Sequence, residues 1–331
     1  MKILITGATG LIGSQIIKDA LDQGIEVNFL TTKHISTVNE DKLKGYYWNP
    51  ENSHMENLEC FKNVDTLIHL AGSRIDKRWT KRYKREILES RIKSLEFLFT
   101  VIQSNKFSVN HLISASAIGC YPSSNSKEFD ENEPIKNDNF LSKVVNDWEL
   151  AANKFNLIGI PVSIIRIGLV VSAKGGFFRK TVESMFYTKI AVVFGEGKQF
   201  QSWIHVEDVS AIFLFILKNK LFGNFNAVAP NAITNLEMVN TTKNQLYEIL
   251  KNKNFESFLG KWFFHTDRYG VKKNFLVFFL LKVPRQFFQF IFGEMHSILF
   301  SSQKVSSKKI QNSGYTFKHT NFDKAIINLD K

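Results

Sequence analysis

Three glycines near the amino terminus have the spacing of a dinucleotide-binding turn. Gly7, Gly10 and Gly13 follow the apolar run KILIT and open a run with helical spacing, SQIIKDALDQG. The first glycine permits a tight turn, the second lets the backbone approach a pyrophosphate, and the third lets the helix pack on the strand. The amino terminus of the helix adds free amides and a favourable dipole. This context favours a phosphate-binding turn over a glycine turn without a ligand.

The residues after the second apolar run bear on the choice of dinucleotide. A carboxylate at this point would accept hydrogen bonds from the adenosine ribose and repel a 2′-phosphate. The chain instead has Thr31, Thr32 and Lys33, which are two hydroxyls and a cation. They favour NADP(H) over NAD(H). A solvated surface lysine is an equally open interpretation of Lys33.

The first part of the chain alternates short apolar runs with longer runs of helical spacing. The apolar runs are KILIT, EVNFLTT, VDTLIHLAG, VNHLISASAI and PVSIIRIGLV, and the longest helical run is RWTKRYKREILESRIKSLEFLFTVIQS. Another helix is expected at 140–155, where Asp138 or Asn139 can cap it. This alternation predicts an α/β fold, a Rossmann-type doubly wound parallel sheet with helices on both faces.

The pattern changes after about residue 172, which suggests two parts. Residues 1–172 are predicted to form the dinucleotide-binding core, and a strand–helix–strand pattern at 200–230 is predicted to return to it. Residues 173–331 are predicted to form a smaller, mixed and mainly helical C-terminal part. This part need not fold as a separate unit.

The bulk composition narrows the partners and the compartment. The net charge is +12, but the lysines are scattered and no basic stripe is interleaved with aromatic residues, so no nucleic-acid partner is expected. The chain has only two cysteines and no apparent signal peptide, which favours a reducing cytoplasm. No metal site is expected, and a homodimer is an open alternative to a monomer.

The most apolar window, 274–295, could suggest a membrane segment. It is interrupted by Lys282, Pro284, Arg285 and Gln289, so it does not have the pattern of a spanning helix. A buried or half-buried pair of helices is the favoured interpretation. A peripheral membrane protein that uses 274–298 is the weaker alternative.

The glycine turn and later motifs together resemble one branch of the extended short-chain dehydrogenase/reductase superfamily. The motifs are HLAGSRIDKRWTKRYKREILESRI, ISASAIGCYP, FLSKVVNDWE, RIGLVVSAKGG, GEGKQFQSWIHVEDV and NAVAPNAITNLEM. The branch is labelled epimerase family protein, or NAD-dependent epimerase/dehydratase-like. The run FGEMHSILFSSQKVSSKKIQNSGYTFKH resembles the small C-terminal domain of this branch, expected at about 284–331. The segment 253–282 is longer than is usual there and is interpreted as an insertion.

The resemblance implies a bound NADP(H). The backbone at Leu70 and Ala71 would face the adenosine, and Arg91 would neutralise phosphate and pair with a carboxylate. An ordinary salt bridge between Glu86 and Arg91 is the alternative, although a spacing of five residues is poor for it. The expected cofactor-binding residues are Gly7, Thr9, Gly10, Leu11, Ile12, Gly13, Thr31, Thr32, Lys33, Leu70, Ala71, Gly72, Glu86, Arg91 and Val170.

The catalytic residues of the superfamily are only partly represented. The superfamily uses a tyrosine, a lysine four residues later and a serine on the preceding strand. Ser116 occupies the serine position, but Phe140 and Val144 stand where the tyrosine and lysine would lie. Lys143 is offset by about 100° around the helix and should point elsewhere. Tyr121, five residues after Ser116, is the candidate proton donor, and a structural role for it is equally open.

Two functions are therefore compatible with the sequence. One is an NADP(H)-dependent oxidoreductase or epimerase-like enzyme on an unidentified small molecule, with Ser116 and Tyr121 near the reacting centre. The other is a non-catalytic NADP(H)-binding protein that senses cofactor state or binds another protein. His205 could reach the site, but a structural histidine ahead of a helix capped by Asp208 is favoured.

Overall fold

The computed structural model describes residues 1–33, 39–40, 42–251 and 278–327. In chain order the strands are β1 (Lys2–Thr6), β2 (Glu26–Thr31), β3 (Asn39–Glu40), β4 (Leu43–Asn49), β5 (His54–Met55), β6 (Thr66–His69), β7 (His111–Ala117), β8 (Glu128–Phe129), β9 (Val162–Ile167), β10 (Leu169–Val171), β11 (Ile190–Phe194), β12 (Phe200–Gln201), β13 (Trp203–His205), β14 (Gly223–Ala227), β15 (Ile233–Thr234), β16 (Phe279–Val283) and β17 (Lys304–Val305).

The α-helices alternate with these strands in the first part of the chain and predominate later. They are α1 (Leu11–Asp22), α2 (Lys81–Asn105), α3 (Phe140–Asn153), α4 (Gly176–Thr188), α5 (Val206–Asn219), α6 (Asn235–Lys251), α7 (Arg285–Phe292), α8 (His296–Phe300), α9 (Lys308–Asn312) and α10 (Phe322–Ile327). Most of the expected insertion at 253–282 lies outside the described residues.

The central sheet has the doubly wound order β14-β9-β7-β6-β1-β2-β4-β3. All neighbours along it are parallel except β3, which runs antiparallel to β4. The chain moves from β1 outward through β2 to β4, and then restarts at β6 on the other side of β1. In such sheets a ligand binds at this point of reversal, beyond the carboxyl ends of the strands. The predicted fold class is confirmed.

Helices cover both faces of the sheet and explain why its strands are apolar throughout. Because the chain moves in opposite directions from β1 to β2 and from β6 to β7, right-handed crossovers place α1 and α2 on opposite faces. α5 packs beside α1, and α3 packs beside α2. β9 is therefore buried along its whole length, and β1 is buried from its second residue on.

The C-terminal part has an apolar core of its own. α4, α6 and α10 contribute Phe178, Met238 and Phe322 to one buried cluster, which also contains Trp203 from β13. α5 follows β13 directly, and its buried side chains belong instead to the core of the central sheet. β14 also joins the central sheet, where it pairs with β9.

The segment 278–298 differs from the buried or half-buried helical pair expected there. It forms the strand β16, which pairs with β11, and then the short helices α7 and α8. Phe279 and Phe290 are 64% and 86% exposed. In the described chain, β16 has only β11 as a partner strand and four of its five residues are exposed, while Phe288 is the only buried residue of α7. Among the described helices, none is long and apolar enough to cross a bilayer.

Candidate functional site

The glycine turn connects β1 to α1 at the point where the sheet order reverses. Gly7 has φ +69°, and a Cβ atom there would lie 2.7 Å from the carbonyl carbon of Leu70, after β6. A Cβ on Gly13 would lie 2.3 Å from the Gly7 carbonyl oxygen. Both positions therefore require glycine, one for the turn and the close approach of β6, the other for the packing of α1.

The amino terminus of α1 is open to an anion. Gly10 caps the helix without any side-chain hydrogen bond, and the first turn contains no acidic residue. The first amides of α1 are thus left for solvent or a ligand, and the helix dipole favours negative charge there. The predicted turn has the geometry that a pyrophosphate requires.

The end of β6 is tied to β1 by a single hydroxyl. Thr6 Oγ1 accepts hydrogen bonds from the amides of Leu70 at 3.1 Å and Ala71 at 3.2 Å. These bonds hold the backbone of residues 70–72 against the glycine turn. The segment after β6 is therefore fixed beside the turn that the first strand leads into.

A cleft of about 840 Å³ opens beside this turn. Eight of the expected cofactor-binding residues line it: Gly7, Thr9, Thr31, Thr32, Lys33, Ala71, Gly72 and Glu86. The other expected residues, Gly10, Leu11, Ile12, Gly13, Leu70, Arg91 and Val170, do not line it. The cleft therefore covers the adenosine side of the expected site, between the ends of β1, β2 and β6.

Two further walls of the cleft were not predicted from the sequence. One is formed by the end of β4 and the residues after it, and consists of Trp48, Asn49, Pro50, Glu51 and Asn52. The other is one face of α2, which contributes Arg82, Arg85, Glu89, Ser90, Lys93 and Ser94. The signal for this second wall was present in the sequence, because residues three, four and seven positions apart share one face of a helix.

Among the described residues, Glu86 and Arg91 form no ion pair with each other, and neither forms one with another charged side chain. Glu86 Oε1 accepts a hydrogen bond from Ser73 Oγ at 3.0 Å. Arg91 donates to the carbonyls of Ile87 at 2.8 Å and Ser73 at 3.2 Å, and its guanidinium lies over the Trp148 ring. Burial lowers the pKa of Arg91 to about 10.

The expected pairing of Arg91 with a carboxylate is therefore wrong within the described residues. A Cβ on Gly72 would lie 3.1 Å from the Arg91 side chain. Arg91 thus packs against Gly72, which lines the cleft. The reason is that the α2 face carrying Arg91 turns toward Trp148 of α3, while the carbonyls that accept its hydrogen bonds belong to α2 itself and to the loop after β6.

Ser116 belongs to a buried polar network that the sequence did not reveal. Its Oγ donates to Glu149 Oε1 at 2.6 Å. Arg166 donates to both oxygens of the same carboxylate, through Nε and Nη2, each at 2.9 Å. All three residues are buried. Because its hydrogen is held by Glu149, the Ser116 oxygen has only its lone pairs left for any further partner.

Tyr121 lies at the far end of this network. Its hydroxyl donates to Asn226 Oδ1 at 2.8 Å and accepts from Arg166 Nη1 at 3.0 Å. The ring stacks on Phe129, and burial raises the pKa of the phenol. Since the hydroxyl faces the interior and both of its partners are protein groups, this geometry does not fit a proton donor to a substrate. It fits the structural alternative.

The helix α3 begins as expected and carries no acid at the superfamily's tyrosine position. Asn139 caps it, with Oδ1 accepting from the Ser142 amide at 3.0 Å. The Phe140 ring contacts Trp79 edge-on at 5.0 Å between centroids, and Val144 is buried in the same apolar cluster. Apolar packing thus replaces the tyrosine–lysine pair.

His205 caps α5, which corrects the expectation that Asp208 does so. Its Nδ1 accepts from the Glu207 amide at 3.2 Å, and its ring lies 3.9 Å from that of His319. Glu207 Oε2 lies 3.0 Å from His319 Nε2 and 2.6 Å from Lys318 Nζ. The three potential ligand atoms of His205, Glu207 and His319 lie within 4.8 Å of one another. The Lys318 ammonium beside Glu207 and the facing rings of His205 and His319 connect α5 to the C-terminal segment at this cluster.

The sheet order, the glycine turn and the cleft define a Rossmann-type protein, and comparison with known families agrees. The model of the NAD dependent epimerase/dehydratase family matches residues 3–227, and that of a domain of unknown function matches residues 283–329. The chain belongs to the NAD dependent epimerase/dehydratase family. The resemblance inferred from its motifs, including the small C-terminal domain, is confirmed.

Individual relatives are similar over the whole chain. An epimerase family protein of Staphylococcus aureus (strain NCTC 8325 / PS 47) is 30% identical over 331 residues, covering 100% of this chain and 99% of the relative. Human epimerase family protein SDR39U1, solved with NADPH, has a TM-score of 0.77 at 23% identity and covers 100% of this chain and 99% of that one. UDP-glucuronic acid 4-epimerase from Bacillus cereus, solved with UDP-glucuronic acid and NAD, has a TM-score of 0.73 at 15% identity, with coverage of 100% and 98%. These two structures show the shared fold.

Proposed function

We propose that this protein binds NADP(H) in the cleft beyond β1, β2 and β6 and acts as an oxidoreductase or epimerase-like enzyme on a small molecule. The observation that carries the proposal is the lining of the cleft, which joins the glycine turn to Thr31, Thr32 and Lys33. No carboxylate stands at the end of β2 to repel a 2′-phosphate. The human relative solved with NADPH supports this choice of cofactor.

The residues present fit the parts of such a cofactor. The free amides of α1 and the turn at Gly7 would hold the pyrophosphate, and the exposed hydroxyl of Thr32 would meet the ribose. Thr31 Oγ1 accepts from the Lys33 amide at 3.2 Å, which fixes the turn that presents Lys33. When bound, NADP(H) would supply the hydride chemistry.

Ser116 is the group we assign to the reacting end of the site. Its hydrogen is committed to Glu149, so its oxygen would accept a hydrogen bond from a substrate hydroxyl. Arg166 holds the Glu149 carboxylate in place. The buried network would therefore position Ser116, while the proton of the reaction would come from or go to another group.

A second function is favoured by one specific observation, the apolar cluster of Trp79, Phe140 and Val144. It occupies the helix face where the superfamily's acid would stand, which agrees with a protein that binds NADP(H) without turnover.

Deuterium transfer distinguishes the two functions. NADPH deuterated at the transferable hydrogen would be incubated with the protein and a small-metabolite extract. A deuterated metabolite, or a new isomer of a metabolite in the extract, supports the enzyme, and the absence of both supports the non-catalytic protein.

Cofactor binding is tested by calorimetry with NADPH and NADH. A charge-assisted contact to the 2′-phosphate is worth about 1.5–3 kcal/mol, so we expect NADPH to bind at least about tenfold more tightly. Gly10→Val should abolish binding of both, since its side chain would extend toward the pyrophosphate position. A Cβ at Gly10 meets only the Gly7 carbonyl oxygen, at 3.2 Å, so the fold should survive.

Gly24→Ala, at the other end of α1, is the matched control. Gly24 has φ +76° and no neighbour within 4 Å of a Cβ, so the change adds backbone strain far from the cleft. It should lower the free energy of unfolding by about 1 kcal/mol and leave both affinities unchanged. Equal affinity of the unmodified chain for the two cofactors would contradict the assignment of NADP(H).

A further inference from the structure

One face of α2 presents a row of charges to the cleft. Arg82, Arg85, Glu86, Glu89 and Lys93 follow helical spacing and all line it. The start of this row is held in place, because Thr80 Oγ1 caps the helix by accepting from the Tyr83 amide at 3.1 Å. Arg82 and Arg85 therefore project from a fixed first turn and a half of helix.

The charges of this row are not balanced among themselves. Lys93 pairs with Glu89 at 2.9 Å, and Glu86 accepts a hydrogen bond from Ser73. In contrast, neither Arg82 nor Arg85 has an ion pair, a side-chain hydrogen bond or an aromatic partner within the described part of the chain.

The opposite wall of the cleft adds one more cation and one acid. Lys33 follows β2 and has no ion pair with any described residue, and Glu51 follows β4. The cleft thus gathers three cations that have no ion pair with a described residue, beside the hydroxyls of Thr31 and Thr32. Its lining as a whole carries four cations and three acids, and the cations without ion pairs would attract a phosphate group.

We propose that Arg82 and Arg85 bind the 2′-phosphate of NADP(H), so that cofactor choice is made by α2 as well as by the end of β2. The inference rests on the proposed function and adds residues to it. Guanidinium groups suit this task because each presents two parallel donors to phosphate oxygens and remains charged at all physiological pH values. Lys33 contributes a third positive charge from the facing wall.

The test compares ligands that differ only in the 2′-phosphate. Affinities of the full chain for NADPH, NADH, adenosine 2′,5′-bisphosphate and AMP would be measured by calorimetry for Arg82→Ala, Arg85→Ala and the double variant. We expect each single change to weaken the two 2′-phosphorylated ligands about tenfold, with NADH and AMP changed less than about twofold. The loss should diminish as salt rises, because exposed charges are screened.

Lys81→Ala is the matched control, since it removes a positive charge from the same turn of α2 without lining the cleft. It should leave all four affinities unchanged. Equal losses for phosphorylated and unphosphorylated ligands, or no loss in the double variant, would overturn the inference while leaving NADP(H) binding intact. Failure of the unmodified chain to bind NADPH would overturn the proposed function itself, and this inference with it.

Discussion

At the scale of single residues, the main feature is a polar network in the interior that joins Ser116 to Tyr121. The Glu149 carboxylate and the Arg166 guanidinium are both buried and form an ion pair. Glu149 also accepts a hydrogen bond from Ser116, and Arg166 also donates one to Tyr121. Removing one partner of such a pair typically costs about 3–5 kcal/mol, because the remaining charge is left buried and uncompensated. The network is thus a strong constraint on the geometry of Ser116.

Tyr121→Phe tests the structural role of this tyrosine. The change removes the hydroxyl between Asn226 and Arg166, and leaves two buried polar groups each short of a partner. We expect the free energy of unfolding to fall by about 1–3 kcal/mol, measured by urea denaturation, with NADPH affinity unchanged. Tyr247→Phe on α6, where the ring is partly exposed, is the control and should change stability by less than about 0.5 kcal/mol. A stable Tyr121→Phe variant that loses turnover of a substrate would instead support a catalytic role.

At the scale of elements, α5 joins the core to the C-terminal segment through one buried carboxylate. Asp208 Oδ1 accepts from the Tyr315 hydroxyl and the Lys318 amide, both at 2.8 Å, and Oδ2 accepts from the His319 amide at 2.9 Å. Burial is the main cause that raises the pKa of Asp208, and these donors act against it. The segment between α9 and α10 is therefore held by backbone amides and not by apolar packing alone.

Asp208→Ala should release this segment. The variant leaves two amides without their acceptor and the Tyr315 phenol with only the backbone carbonyl at position 208, 3.3 Å away, so we expect a loss of about 3 kcal/mol in the free energy of unfolding. Hydrogen exchange should also become faster at the amides of Lys318 and His319. Asp323→Ala, an exposed change in the first turn of α10, is the control and should cost less than about 1 kcal/mol. Unchanged protection of the two amides in Asp208→Ala would refute this role.

At the scale of the whole molecule, buried histidines in separate elements should set the acid stability. Burial lowers the pKa of His69 to about 3, and of His111 and His205 to about 4. The unfolded chain binds protons at these groups below about pH 6.5, whereas the folded chain does not until about pH 4. Stability should therefore be highest above pH 6.5 and fall continuously as the pH drops from 6.5 to 4.

The measurement is the free energy of unfolding from urea titrations at intervals between pH 4.5 and 7.5. His111→Gln should make the free energy of unfolding depend less on pH, because one buried group no longer gains a proton on unfolding. The substitution also alters the hydrogen bond to Ser163 Oγ. His54→Gln, on an exposed edge strand, should leave the slope as it is. A stability that is constant between pH 6.5 and 4.5 would show that these histidines are not buried neutral.

The features that the sequence predicted correctly depend on near neighbours along the chain. The strand, the turn at Gly7 and the helix α1 follow one another within 22 residues, so their geometry depends on local backbone conformation. The alternation of apolar strands and helices likewise predicted the doubly wound sheet. A cap at Asp138 or Asn139 and the absence of the superfamily's tyrosine–lysine pair from α3 were readable for the same reason.

Only the tertiary structure decided which polar side chains meet. Tyr121 and Asn226 are 105 residues apart in sequence, and Ser116 and Glu149 are 33 apart, so no local pattern reports their contact. The direction of Tyr121 toward the interior depends on β9 lying beside β7 and β14 lying beside β9 in the sheet. By itself the sequence determined the fold, the glycine turn and the missing tyrosine. The position of the charged α2 face beside the cleft and the buried partner of Ser116 required the packed structure, because burial and long-range contact arise only when the sheet assembles.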